Sequence, residues 1–213
     1  MNLSLFENAP ETVPLAEGAM LLRGFASSEG EELWRAVQQV IERAPFRHMV
    51  TPGGFRMSVA MTNCGALGWV SDESGYRYVA HDPLTSQPWP AMPEEMSDAA
   101  IRAAASAGYE GFAPDACLIN RYEPGARLTL HQDKNELDYS APIVSMSLGL
   151  PAVFQFGGNK RSENLRRIAL QHGDVVVWGG PSRLRYHGVL ALKEGNHPLT
   201  GACRVNLTFR KAG

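Results

Sequence analysis

Residues 143–178 read IVSMSLGLPAVFQFGGNKRSENLRRIALQHGDVVVW, four short apolar runs cut apart by Gly-Leu-Pro, Gly-Gly and His-Gly-Asp turn signals. Short runs rich in Val, Ile and Phe, bounded by Gly and Pro, read as strands rather than helices. The pattern continues on both sides. Ala116–Tyr122, Arg127–His131, Leu184–Leu190 and Arg204–Arg210 join Ile143–Leu148, Val153–Phe156, Leu165–Leu170 and Asp174–Trp178 as predicted strands. Close-set strands with this punctuation predict a mostly β fold, a two-sheet jelly roll or barrel with helices packed outside it.

Two helices are signalled upstream. The first is predicted from Ser28, with Glu31 reaching back in a capping box and Leu33, Val37, Val40, Ile41 and Ala44 on one face up to Pro45. The second follows Pro93, with Glu94 and Glu95 in its first turn and Gly108 as its stop. Between them, residues 47–93 are rich in Gly, Pro, Met, Trp and Tyr, with strand-like pieces at Phe55–Thr62 and Tyr76–Val79, and read as a cover rather than a core.

The chain has 213 residues, 44% of them apolar and 20% charged, with 20 Lys plus Arg against 22 Asp plus Glu. That balance describes a globular protein and excludes a disordered tail or a fibre. The uncharged stretches are too short and too broken for a membrane span, and the N-terminus lacks a signal-peptide layout, so a cytoplasmic protein is expected. Cys64, Cys117 and Cys203 form no Cys-x-x-Cys pair, which excludes a thiolate zinc site and an iron–sulfur cluster. The net charge of −2 argues against a protein that coats nucleic acid wholesale. Residues 156–190, however, carry Lys160, Arg161, Arg166, Arg167, Arg183 and Arg185 against Glu163 and Asp174, so a local basic face is expected.

Chemistry concentrates in two patterns. His131-Gln-Asp133 on a strand-like segment points an imidazole and a carboxylate the same way, and a later strand can bring His187 beside them. Two imidazoles and one carboxylate leave about three positions of an octahedral metal open, which suits non-haem Fe(II). In the second pattern Arg204, Asn206, Thr208 and Arg210 alternate with Val205, Leu207 and Phe209. The two arginines lie ~20 Å apart along an extended strand at ~3.3 Å per residue, so they bracket a small dicarboxylate only if the strand twists. The alternation also sets Asn120 and Tyr122 on one face of their own strand. Taken alone, the Arg204–Arg210 segment also fits the polar outer face of an edge strand.

Taken with these residues, Met49-Val-Thr-Pro-Gly-Gly54, Met57-Ser-Val-Ala-Met-Thr-Asn63, Cys117-Leu-Ile-Asn-Arg-Tyr122, Ser147-Leu-Gly-Leu-Pro151 and His172-Gly-Asp-Val-Val-Val-Trp-Gly-Gly180 make nearly the whole chain resemble the AlkB family of Fe(II)- and 2-oxoglutarate-dependent nucleic-acid dioxygenases. The resemblance implies a double-stranded β-helix core in a single domain. Residues 1–46 would be an N-terminal segment with a supporting helix, 47–93 a nucleotide-recognition lid, and 94–213 the second helix and jelly roll. It implies that His131, Asp133 and His187 hold iron, and that Asn120, Tyr122, Arg204, Asn206 and Arg210 hold 2-oxoglutarate, with Arg210 at the carboxylate beside the metal. The cofactors are then Fe(II), 2-oxoglutarate and O2, and the reaction is oxidative demethylation of N-alkylated bases such as 1-methyladenine and 3-methylcytosine, a direct reversal of alkylation damage. The partner would be single-stranded or flipped-base DNA or RNA, met by a monomer without an obligate protein partner. Trp69, Tyr76, Tyr78, Asn135 and Arg161 would contact it, Trp69 by stacking on the base.

Asn135 departs from the resemblance, because a bacterial member of the family carries an acid there. A neutral amide attracts a cationic alkylated base less than a carboxylate does, so base preference is expected to differ. Two other readings stay open on sequence alone: an oxygenase of the same cofactors acting on a protein or small molecule, and a jelly-roll binding module with a structural metal.

Overall fold

The computed structural model describes residues 11–213; the first ten residues of the expected N-terminal segment lie outside it. Two short strands, β1 (Thr12–Ala16) and β2 (Ala19–Leu22), open the described chain as a hairpin that the sequence reading missed. Helix α1 runs Gly30–Arg43, followed by β3 (Arg47–Val50), β4 (Arg56–Gly65), β5 (Gly68–Asp72) and β6 (Gly75–Val79). Helix α2 (Glu94–Ser106) precedes β7 (Ala116–Tyr122), β8 (Leu128–His131), β9 (Ile143–Gly149), β10 (Ala152–Phe156), β11 (Arg166–Leu170), β12 (Val175–Trp178), β13 (His187–Val189) and β14 (Arg204–Arg210).

The strands make a large sheet in the order β1-β2-β12-β9-β14-β7-β4-β3 and a small one, β11-β10-β13-β8. This is the expected jelly roll. Alternation along each strand divides the apolar residues between two layers. Val205, Leu207 and Phe209 of β14, with Val144 and Met146 of β9, face outward into a core closed by Leu33, Ala36, Val37 and Val40 of α1 and the alanines of α2. Alanine at positions 99, 100, 103 and 104 lets α2 lie close to the sheet. The inner layer joins Ile143, Val176 and Trp178 of the large sheet to Phe154, Phe156, Ile168 and Val189 of the small one.

The expected capping box does not form. Helix α1 begins one residue later than the capping box implies, with Glu29 at its cap in place of Ser28 and no side-chain capping hydrogen bond. Glu29 instead pairs with Arg102 of α2 at 2.7 Å, and Gly30 lies under the His172 ring, where a Cβ would sit 2.5 Å from Nε2. The predicted strand Leu184–Leu190 shortens to β13, because residues 180–186 turn tightly, Arg185 N–H donating to the Ser182 carbonyl.

Residues 47–93 divide in two. β3 and β4 extend the large sheet, with Met61 opposite Asn120, while β5 and β6 form a separate two-stranded hairpin. Asn63 on β4 pins that hairpin, accepting from Trp69 N–H at 2.9 Å and donating to the Trp69 carbonyl at 3.0 Å. Among the described residues no helix is long and apolar enough to cross a membrane, and all three cysteines are free and buried.

Candidate active site

β14 is a central strand and all seven of its residues are buried, so the edge-strand alternative for its polar face is wrong. With its apolar face spent on the helices, Arg204, Asn206, Thr208 and Arg210 point between the two sheets. Direct cross-strand partners share a face. Asn206 lies opposite Asn120 and Ser147, and Arg204 opposite Tyr122, so β7, β14 and β9 set the expected residues side by side. Ser145 and Ser147 complete this floor. They accept from Asn206 Nδ2 at 2.9 Å and from an Arg204 Nη at 3.0 Å. The alternation Ile143-Val-Ser-Met-Ser-Leu148 was the signal that would have found them.

β13 pairs with β8 so that His187 lies opposite His131. Gly188 makes the approach possible, since a Cβ there would come within 2.7 Å of the Leu128 carbonyl oxygen. The imidazole centroids are 4.4 Å apart, and Asp133 closes the group with carboxylate oxygens 3.6 Å from His131 Nε2 and 3.7 Å from His187 Nε2. All three donor atoms lie within 4.8 Å of one another. His131 Nδ1 is 2.8 Å from the Thr129 carbonyl and His187 Nδ1 is 3.0 Å from that of Arg185. A carbonyl only accepts, so each Nδ1 carries the proton and each Nε2 turns a lone pair toward the centre. Burial, and then His131, push the His187 imidazole down to about 4, which keeps it neutral and ready to ligate. Burial alone would raise the Asp133 carboxyl, but Arg210 and the two imidazoles outweigh it and hold it well below the usual carboxylate range. Two neutral imidazoles and one carboxylate facing a common point fit a divalent iron.

The guanidinium groups show what else the site is built for. Arg210 donates to Asp133 Oδ2 through Nε at 3.0 Å and Nη2 at 2.6 Å, yet its Nη1 has no partner among the described residues. Arg204 is 1% exposed, lies 5.0 Å over the Tyr122 ring, and leaves both Nε and Nη1 without partners among the described residues. Asn120 Oδ1 is also unpartnered. Buried, unpaired donors on a charged group cost roughly 1–3 kcal/mol or more. A ligand with two carboxylates, one near Arg210 and the metal point and one at Arg204, removes that cost, and 2-oxoglutarate is such a ligand.

Above this floor a cavity of about 810 Å³ opens to the surface, large enough for a nucleotide base. Met57, Met61, Trp69, Tyr76, Asn135 and Arg161 are among the residues that line it, whereas Met49 is in the core. Trp69 and Tyr76 stack at 5.6 Å with 14° between their planes. That gap is too narrow to admit a base, which needs about 6.8 Å at ~3.4 Å per stacked layer, so the pair forms one platform. Asn135 is tied to it, accepting from Trp69 Nε1 at 3.1 Å and donating to the Tyr76 carbonyl at 3.5 Å. Arg161 reaches back to the Leu130 carbonyl at 2.5 Å and lies over Tyr186. Tyr78 departs from expectation: it does not line the cavity, and its hydroxyl donates to Glu136 Oε1 at 2.8 Å. Glu136 and Arg183 are the buried charges that sequence reasoning could not assign, because their partners are far away along the chain.

Over residues 18–210 the sequence matches the family model described as the 2OG-Fe(II) oxygenase superfamily. It is 61% identical to the alpha-ketoglutarate-dependent dioxygenase AlkB of Escherichia coli K12 over 212 residues, 99% of this chain and 98% of that protein. It is 45% identical to the AlkB homolog of Caulobacter vibrioides strain NA1000, over 84% of this chain and 80% of that one. Among solved structures, that of OsALKBH1 superposes with a TM-score of 0.82 at 29% identity, covering 94% of this chain and all of the other. With iron donors, paired arginines and sequence all in agreement, the chain belongs to the AlkB family of Fe(II)- and 2-oxoglutarate-dependent dioxygenases.

Proposed function

We propose that this enzyme demethylates N-alkylated bases, such as 1-methyladenine and 3-methylcytosine, in single-stranded or flipped-base DNA or RNA. The observation that carries the reading is one cavity with the His131–Asp133–His187 cluster and the Arg204 guanidinium at its floor and the Trp69–Tyr76 platform at its mouth. The name of the 61% identical relative, an alpha-ketoglutarate-dependent dioxygenase, supports the chemistry.

Bound iron with 2-oxoglutarate and O2 supplies the oxidation, converting 2-oxoglutarate to succinate and carbon dioxide and an N-methyl to an N-hydroxymethyl group, which releases formaldehyde. His131, Asp133 and His187 hold the metal. Arg204, Arg210, Asn120, Tyr122 and Asn206 orient the dicarboxylate. The platform stacks the base while Met57 and Met61 exclude water around it. Asn135 and Arg161 meet the nucleotide from the wall of the cavity. In this reading the hairpin β5–β6 is the recognition lid of a single domain, and the enzyme works as a monomer in the cytoplasm. No side-chain base is needed, because the hydroxymethyl product collapses unaided.

The test is succinate formation from 2-oxoglutarate with Fe(II) and air, with and without oligonucleotide. A methylated single strand stimulates turnover and its unmethylated counterpart does not. Equal rates with both would refute the substrate assignment.

A further inference from the structure

Glu136 is 6% exposed, and each carboxylate oxygen lies near a protein cation, although only Oε1 is hydrogen-bonded. Oε1 accepts from the Tyr78 hydroxyl of β6 at 2.8 Å and lies 3.3 Å from Arg210 Nε. Oε2 lies 3.1 Å from an Arg183 Nη. Arg183 is fixed in turn by the Ala141 carbonyl at 3.1 Å and the Asp133 carbonyl at 2.9 Å. One buried cluster therefore holds two carboxylates, Asp133 and Glu136, against two guanidiniums, Arg183 and Arg210, and one of its members is bonded to the hairpin that carries Trp69 and Tyr76.

Such a cluster is a poor device for stability, since desolvating four charges offsets most of their attraction. Its arrangement is informative instead. Two residues that tie the hairpin to the segment after Asp133, Asn135 and Glu136, follow that metal-site residue by two and three positions. Arg210 is shared between Asp133 and Glu136 while it still has one unpartnered donor. A ligand carboxylate at Arg210 draws on the guanidinium that Glu136 also uses. The less Arg210 serves Glu136, the more its oxygen depends on Tyr78, and the more firmly β6 is held.

We propose that Glu136 is a positioning residue that couples the filling of Arg210 to the seating of the hairpin β5–β6, through the hydroxyl of Tyr78. The inference rests on the reading of Arg210 as a 2-oxoglutarate contact. Coupling of two sites through one element is reciprocal, so nucleic acid also tightens 2-oxoglutarate.

The experiment uses the whole protein with Mn(II) in place of Fe(II), without oxygen. Oligonucleotide affinity and backbone amide exchange over residues 68–79 are measured with and without 2-oxoglutarate. In the wild type, 2-oxoglutarate slows exchange in the hairpin and raises affinity for a methylated single strand at least ~5-fold, at the low end of typical coupling. Tyr78→Phe breaks the link at the hairpin and Glu136→Gln weakens it at Arg210; both bring the ratio toward one, and Tyr78→Phe leaves 2-oxoglutarate affinity in the absence of oligonucleotide within about 2-fold of wild type. Should Glu136→Gln fail to fold, Tyr78→Phe alone decides. A wild-type coupling ratio in Tyr78→Phe, or 2-oxoglutarate uptake with no effect on the wild-type hairpin, overturns the inference and leaves the dioxygenase reading standing. Failure of the wild type to take up 2-oxoglutarate at all overturns both.

Discussion

At Arg204 function and stability pull in opposite directions. Its guanidinium is buried with two unpartnered donors, a cost the folded protein carries in the absence of ligand. Arg204→Met keeps the length and fills the space over the Tyr122 ring. We expect calorimetry to show an unchanged or raised Tm, while 2-oxoglutarate affinity, measured by titration calorimetry, falls at least ~30-fold, the low end for removing one partner of a buried charged pair. At Asn135 the expectation from charge meets a structural fact: its Oδ1 already accepts from Trp69. Asn135→Asp retains that acceptor and adds a charge beside a cationic base, so turnover on 1-methyladenine rises by about 1 kcal/mol, or ~5-fold; steady-state kinetics showing no gain would reject it. Trp69→Ala removes stacking of roughly 1–3 kcal/mol, which lowers oligonucleotide demethylation ~5- to 150-fold and spares slow 2-oxoglutarate turnover in its absence. His131 with Asp133, Asn120 with Tyr122, and Arg204 with Asn206 and Arg210 stood out because each set falls within two to six positions, whereas His187, far along the chain, and the roles themselves came from the family resemblance. Asn63 and Glu136 did not stand out, because their roles come from partners on another element, which one-dimensional spacing cannot show.

At the scale of elements, β14 reverses the usual strand. Its apolar side turns outward because two helices cover it, and its polar side turns inward because it lines the cavity between the sheets. The alternation was legible in the sequence; its direction was not, because a period of two does not say which face is in. The strands β1, β2, β3 and β5 escaped prediction for a related reason: four or five residues, one strand containing Pro14, give too short a run to stand out from loop. β13, with three residues, is shorter still, yet Gly188 makes it decisive. Gly188→Ala forces β13 away from β8 and separates His187 from His131, so iron affinity falls and stability drops by about 1–3 kcal/mol, as read by metal titration and denaturant unfolding.

For the molecule as a whole, the metal site links fold to pH. His187 folds neutral, with its proton affinity lowered to about 4 from an ordinary value of 6.5. Above pH 6.5 both folded and unfolded chains hold it neutral and its full contribution is present. As pH falls toward 4 the unfolded chain takes up the proton first, so metal-free protein loses up to about 3 kcal/mol over that window. Asp133, held below its usual range, carries the loss to lower pH. Bound metal competes for the same lone pairs and moves the loss downward, which chemical denaturation at several pH values with and without Mn(II) will show.

The central claim is that one cavity couples iron and 2-oxoglutarate to a methylated base. Mass spectrometry of a single-stranded oligonucleotide carrying 1-methyladenine or 3-methylcytosine, incubated with protein, Fe(II), 2-oxoglutarate and air and with each omitted in turn, tests it most directly. Loss of one methyl group in the complete mixture alone is the predicted result. Retention of the methyl group while succinate accumulates would contradict the claim.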